Sequence, residues 1–180
     1  MVKKERMIDR RRIFTGRIIS FREDLVELPD GKETTREVVE HPGAVAVVAL
    51  DKAGRLILVC QYRYPLERET LEIPAGKLDP GEDPEECARR ELKEETGYDA
   101  VEIRYLLSFY TSPGFTDEII HLFSARAGTC TGPHTDEDEF VDIRLYEPAE
   151  LMEMVKKGAV CDAKTILGLL YAKEAGLFPA

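Results

Sequence analysis

GKLDPGEDPEECARRELKEETGY, residues 76–98, carries acidic side chains at positions 79, 82, 83, 85, 86, 91, 94 and 95, with Lys77, Arg89, Arg90 and Lys93 among them. Its punctuation predicts a helix. Asp83 can cap free N–H groups, Pro84 suits a first turn, and Glu86 at the third position completes a capping box. Gly97 is a stop signal. A helix over 84–96 follows. At about 100° per residue, Ala88 and Leu92 fall on one side and face the core. Glu91 and Glu95 lie within a turn of both, at the core's edge, with Glu94 beside them. A plain amphipathic helix would carry apolar groups at 91 and 95. As an i,i+4 like-charge pair these two carboxylates cost a few tenths of a kcal/mol in an isolated helix, on the order of 0.2–0.5.

Two readings account for this run. One is a solvated charged face, with Glu86–Arg90 and Arg90–Glu94 as i,i+4 pairs. It explains the arginine but not carboxylates at the core margin. The other is a divalent-cation site, since hard oxygen ligands on one helix face suit Mg²⁺ or Mn²⁺ and the phosphates such ions hold. The ion then relieves the repulsion, and Arg90 holds the remaining carboxylates in place.

Around this helix the chain reads as strands first and helices last. RIISFREDLVEL and ETTREVVE flank a turn at Pro29-Asp30-Gly31-Lys32. AVAVVAL (44–50) and RLILVCQYRY flank a turn at Asp51-Lys52-Ala53-Gly54. Residues 101–111 and 119–127 form two further strands around a Pro-Gly loop, and VDIRLY (141–146) a last short one. AELMEMVKKG and AKTILGLLYAKEAG have helical spacing and end at Gly158 and Gly176. The order implies an α+β or layered α/β/α domain. Residues 1–42 form an N-terminal β-hairpin region too short for its own core, and 43–180 the main domain.

The 180 residues are 43% hydrophobic and 33% charged, ordinary for a soluble globular protein. No window approaches the ~18 consecutive apolar residues of a membrane helix, and MVKKERMIDRRR lacks the apolar segment of a signal peptide. Cys60, Cys87, Cys130 and Cys161 are scattered without a CxxC, which fits a reducing, cytoplasmic setting rather than a disulfide frame or zinc knuckle. Residues 1–12 hold six basic and two acidic groups, +4, so the rest of the chain carries −14 of the net −10. Such an acidic body repels nucleic acid and tolerates divalent cations. The basic head reads as a solvated terminus or first strand, with a nucleic-acid arm as the alternative. His41, His121 and His134 make no metal or catalytic set, and His121 sits in an apolar run that reads as core. Ser112 has no evident His/Asp pair, and GxSxG, P-loop and GxGxxG patterns are absent.

The spacing of the opening stretch resembles the Nudix box, GX5EX7REUXEEXGU. Gly76, Glu82, Arg90, Glu91, Glu94, Glu95 and Gly97 fill its fixed positions, and Tyr98 stands where an aliphatic residue is usual. VELPDGK, REVVEHPGAVAV, QYRYPLERETLEIPAGKLDPGE, FYTSPGFTDEIIHLF, DEDEFVDI and CDAKT resemble the bacterial ADP-ribose pyrophosphatase branch, over roughly residues 14–170. Pro113, sixteen residues after Gly97, is that branch's marker. The resemblance implies a Nudix α/β/α sandwich with a mixed sheet. It also implies a homodimer whose N-terminal strands complete the partner's pocket, and metal-dependent hydrolysis of ADP-ribose to AMP and ribose 5-phosphate.

The same resemblance assigns roles. Glu91, Glu95 and the Ala75 carbonyl are metal ligands, and Glu94 is a ligand or stands beside them. Arg90 orients the glutamates, and Glu82 fixes the loop against the helix. Two or three Mg²⁺ or Mn²⁺ ions bridge the diphosphate, paired ions being about 3.5–4 Å apart. The acidic loop 136–139 supplies the base, Glu139 with Glu137 in reserve. Arg63 and Arg36 resemble phosphate- or adenine-contacting arginines, Arg36 acting across the dimer. Arg68 and Glu72 could instead form a structural pair. Gly114, Phe115 and Glu118 shape a loop for the terminal ribose, and Phe21 is a candidate for adenine stacking or a core residue. The alternatives are another nucleoside diphosphate sugar or a dinucleotide, a non-catalytic ADP-ribose sensor, and an acidic interaction domain with a coincidental box.

Overall fold

The first forty positions, rich in charged residues, build a three-stranded antiparallel sheet, β1 (Arg6–Thr15), β2 (Ser20–Glu27) and β3 (Glu33–Glu40). From Arg6 onward the basic head is a strand, exposed along its whole length. Cross-strand charge fixes the register. Arg10 lies opposite Asp24, and Arg10 and Arg22 both bind the buried Asp24 carboxylate, while Arg12 and Arg22 both reach Glu40. The 28–32 turn closes through Leu28 N–H donating to the Lys32 carbonyl at 2.7 Å, with Gly31 at φ +84°. The computed structural model describes residues 3–132 and 140–178. Residues 1–43 and 109–119 form one compact unit, and 44–108 with 120–180 the other. Segment 109–119 joins the first through the Val39 N–H to Phe115 carbonyl bond, 2.8 Å, and the His41 N–H to Asp117 Oδ1 bond, 2.9 Å.

The second unit is built on the two apolar runs expected as strands, β4 (Ala44–Leu50) and β5 (Leu56–Arg63). A 3-10 turn at Tyr64–Leu66 leads to β6 (Arg68–Glu72) and β7 (Ala75–Lys77). Then come α1 (Pro84–Thr96), β8 (Tyr98–Tyr110), β9 (Ile119–Cys130), β10 (Asp142–Tyr146), α2 (Pro148–Lys156) and α3 (Ala163–Glu174). The sheet runs β10-β5-β4-β9-β8, with β6 on β5 and β7 on β4. It is mixed, because β4 and β9 are parallel while β5 is antiparallel to both β4 and β10.

Period-two alternation sorts this unit into layers. Val45, Val47, Ala49, Phe123, Ala125 and Ala127 pack with Cys87, Ala88 and Leu92 of α1. On the other face, a Cβ at Gly168 of α3 would stand 3.0 Å from Val48 and 3.3 Å from Leu122. The helix–sheet–helix arrangement expected from sequence is present.

Candidate active site

The helix carrying the carboxylates starts and stops where its sequence dictates. Asp83 Oδ1 accepts from Glu85 N–H at 2.8 Å and Glu86 N–H at 3.4 Å. Only that half of the expected capping box forms, since among the described residues Glu86 makes no return bond. At the far end Gly97 sits at φ +73°, and a Cβ there would lie 2.3 Å from the Gly132 backbone, so both conformation and space require glycine. Ala88 and Leu92 are fully buried and Glu95 is 5% exposed, which places that carboxylate at the core margin.

Arg90 organises the polar side of α1. Its Nε and Nη2 donate to the two oxygens of Glu82 at 2.8 and 2.9 Å, a bidentate pair. Its Nη1 donates to Glu91 Oε1 at 2.7 Å and Glu94 Oε2 at 3.0 Å. The expected Glu86–Arg90 pair does not form. Arg90 turns back instead to Glu82, which precedes the helix, and the extra i,i+4 pair on α1 is Glu85–Arg89. Glu82 also accepts from Asp79 N–H at 2.9 Å, so the loop and the helix are tied through one carboxylate. The Arg90 hydrogen bonds hold the Glu82 carboxyl down at about 2.

Two backbone positions complete the cluster. Ala75 N–H donates to Glu95 Oε2 at 3.0 Å, bringing β7 against α1. At Gly76 a Cβ would stand 1.9–2.1 Å from the Glu91 carboxyl atoms, so this carboxylate lies directly over the glycine backbone. As the side chains stand, no three His, Cys, Asp or Glu side chains among the described residues form a ready cation cage, and one Arg90 nitrogen lies between Glu91 and Glu94. The donor set nonetheless fits a hard cation. Glu91, Glu94 and Glu95 supply carboxylate oxygens on one helix face, and Gly76 leaves the space that a side chain would take from Glu91.

Arg63 and Glu72 form a second charged cluster. Arg63 Nε and Nη2 bind the Glu72 carboxylate at 2.8 and 2.7 Å, and Thr70 Oγ1 adds a bond at 2.6 Å. Lys164 of α3 also contacts Glu72, and reaches Asp162 at 3.0 Å. Burial pushes the Glu72 carboxyl up, but Arg63, Lys164 and Thr70 outweigh it and hold the group down at about 2. The proposed Arg68–Glu72 pair is thus replaced. Arg68 donates instead to Cys161 Sγ at 3.0 Å, because β6 runs antiparallel to β5 and Arg63 provides the partner for Glu72. Arg63, Thr70, Glu72, Cys161 and Lys164 line a cavity of about 380 Å³.

Arg36, Phe21, Gly114, Phe115 and Glu118 belong to the first unit. Arg36 is exposed and bound to Glu5 at 2.6 and 3.0 Å. Phe21 is half-buried on β2, opposite Val39 and Phe14. Gly114 has open space where a Cβ would be, Phe115 is largely exposed, and Glu118 accepts from Thr111 Oγ1 at 2.5 Å. His121, expected in the core, is half-buried on the interior strand β9 and pairs with Ser108 Oγ at 2.7 Å, the polar partner that a half-buried imidazole needs. Glu139, Glu137 and His134 lie outside the described residues.

Sequence reading missed Lys164 and Cys87. Lys164 had a signal, a cation in the first turn of α3, where the helix dipole disfavours it without a local carboxylate. Cys87 had none. Its buried thiol donates to the Lys77 carbonyl and accepts from Arg90 Nη2, both at 3.3 Å, and burial pushes it up to about 12.

An α/β/α unit with a carboxylate-bearing helix clamped by one arginine defines the Nudix class of hydrolase. The NUDIX domain family matches residues 40–168, and the nucleoside diphosphate sugar hydrolase N-terminal domain family matches residues 5–39. The chain is 47% identical to a Bacillus subtilis (strain 168) protein named ADP-ribose pyrophosphatase, covering 96% of this chain and 95% of that one. It is 46% identical to a Bacillus methanolicus protein named methanol dehydrogenase activator, covering 93% and 92%. A Yersinia enterocolitica protein named GDP-mannose pyrophosphatase is 35% identical, covering 79% of each. A crystal structure described as an ADP compounds hydrolase superposes with a TM-score of 0.86 at 23% identity, covering 97% of this chain and 95% of that one, a likeness of fold. The chain belongs to the Nudix hydrolase family, whose members are generally dependent on divalent cations. Among the described residues no helix is long and apolar enough to cross a membrane.

Proposed function

We propose that this chain hydrolyses the diphosphate of ADP-ribose to AMP and ribose 5-phosphate. The observation that carries this is the Arg90 clamp on Glu82, Glu91 and Glu94, with Glu95 on the Ala75 amide, in a chain so similar along its length to an ADP-ribose pyrophosphatase. Glu91, Glu95, the Ala75 carbonyl and Glu94 would hold Mg²⁺ or Mn²⁺, in two or three sites. A cation held there would supply neutralisation of phosphate oxygens and a lowered pKa for the attacking water.

The chain's own residues do the rest. Arg90 fixes the carboxylates so that little rearrangement is needed as charge develops. Arg63, locked from one side by Glu72, offers its remaining donors to a phosphate oxygen in the cavity it lines. Glu139, or Glu137 in its place, takes a proton from the attacking water. Water oxygen bonds to one phosphorus, the bond from that phosphorus to the bridging oxygen breaks, and each product leaves as a phosphomonoester. A homodimer is part of this reading. Met7, Ile13 and Phe14 are exposed apolar side chains on β1, suited to burial against a second copy, and Arg36 would then serve the partner's pocket.

The similarity to a GDP-mannose pyrophosphatase favours a second reading, the same chemistry on another nucleoside diphosphate sugar. Incubating the protein with ADP-ribose and GDP-mannose together, at equal concentration with Mg²⁺, separates the two. AMP and ribose 5-phosphate are expected to dominate the chromatogram. GMP with mannose 1-phosphate as the main products would overturn the ADP-ribose assignment and leave the hydrolase standing.

A further inference from the structure

The chain has fifteen arginines. Among the described residues, Arg6, Arg10, Arg11, Arg12, Arg22, Arg36, Arg55, Arg63, Arg89, Arg90 and Arg144 each meet a carboxylate, and Arg68 meets Cys161. Arg17, Arg104 and Arg126 do not. In a chain of net charge −10, with 35 acidic side chains available, an unpaired guanidinium is the exception.

Two of these three line the same cavity. Arg104 stands on β8 and Arg126 on β9, with Glu102, Ser124 and Leu50 around them and Leu177, just past α3, at the margin. The cavity measures about 470 Å³, more than one phosphate group fills. Leu50 pairs with Arg126 across the parallel β4–β9 ladder. By alternation, Leu50, Ser124 and Arg126 lie on the face that carries Val48 and Leu122 towards α3. The α1 carboxylates lie on the opposite face.

We propose that this cavity is a second anion site, built for the phosphate of a phosphomonoester. Two guanidinium forks suit a tetrahedral oxyanion, and Ser124 adds a hydroxyl donor. Glu102 leaves the cavity at +1, which favours a compact dianion able to engage both arginines over a weakly charged ligand. The space beyond the arginines takes the ester's organic part. The site does not depend on the hydrolytic reading, since it shares no residue with the clamp.

The test is a calorimetric titration in low salt with EDTA present, using ribose 5-phosphate and inorganic phosphate as probes. Wild type is expected to bind ribose 5-phosphate saturably and more tightly than inorganic phosphate. The variants are made in an Arg63→Ala background, which removes the phosphate contact proposed for the other cavity. Arg104→Ala/Arg126→Ala should weaken binding about tenfold or more. Glu102→Gln should tighten it about threefold, an opposite effect that misfolding cannot imitate. Unchanged binding in the double arginine variant or no response to Glu102→Gln would overturn the site. Equal binding of the two probes would overturn the ester. A lower melting temperature in the double variant with undiminished binding would assign the arginines to the negative end of α3 instead.

Discussion

The two charged clusters of the second unit use the same residue types for opposite ends. Around Glu72, two cations and a hydroxyl enclose one carboxylate that is 2% exposed. Around Arg90, one guanidinium meets Glu82, Glu91 and Glu94 among the described residues, with Glu95 close by on the Ala75 amide. The first cluster is compensated, Arg63 and Lys164 against Glu72 and Asp162, and its members hold one another in place. Among the described residues the second groups four carboxylates around Arg90, oxygen donors of the kind a hard cation takes. Removing charge should therefore damage stability in the first cluster and activity in the second.

The largest effect is expected in the second cluster. Glu95→Gln keeps the side chain's shape and an acceptor for the Ala75 amide but removes one negative charge. Turnover of ADP-ribose should fall about 10³-fold, comparable to the loss of a key electrostatic group, while thermal unfolding stays close to wild type.

In the first cluster Glu72→Gln leaves Arg63 without its counter-ion and Lys164 with Asp162 alone. A loss of about 3–5 kcal/mol in urea unfolding is expected. The pH dependence sharpens this. Glu72 is held at about 2 against an ordinary 4.5, so it contributes in full above about 4.5 and loses that contribution as pH falls towards 2. The shift corresponds to about 3 kcal/mol. Chemical unfolding of wild type and Glu72→Gln should converge across that window. A constant gap would mean that the carboxylate's charge is not what stabilises.

Gly76→Ala tests the clamp without touching a charge. The new Cβ meets the end of a flexible side chain, the Glu91 carboxyl, which can swing aside. Stability should change by less than about 1 kcal/mol, while turnover falls about 10²-fold because the carboxylate is displaced. The smallest effect is that of Asp83→Ala, which removes the N-cap of α1 and should cost about 1 kcal/mol in the unfolding midpoint with little change in turnover.

What could be read from sequence followed how local the cause was. Asp83, Pro84 and Gly97 set the bounds of α1 through bonds within a few residues, and the helix is where they predict. AVAVVAL and RLILVC announce β4 and β5 because both faces of those strands are covered. β6 and β7 were missed because RETLE is mostly polar and AGK is three residues long, so their strand character comes from partners far along the chain. The same distinction holds in the site. The Arg90–Glu94 pair was legible from helical spacing, whereas Arg90–Glu82 and Lys164–Glu72 needed the fold, the latter joining residues 92 apart. Gly76 was legible as a motif position, but its physical reason, the carboxylate above it, was not.

The central claim is that the α1 carboxylates are a cation site on which hydrolysis depends. Its most direct test is chromatography of ADP-ribose after incubation with Mg²⁺ and wild type, with Glu95→Gln, and with wild type in EDTA. AMP and ribose 5-phosphate from wild type, absent from both other samples, are the predicted result. The same products formed at an undiminished rate by Glu95→Gln, or in EDTA, would contradict the account.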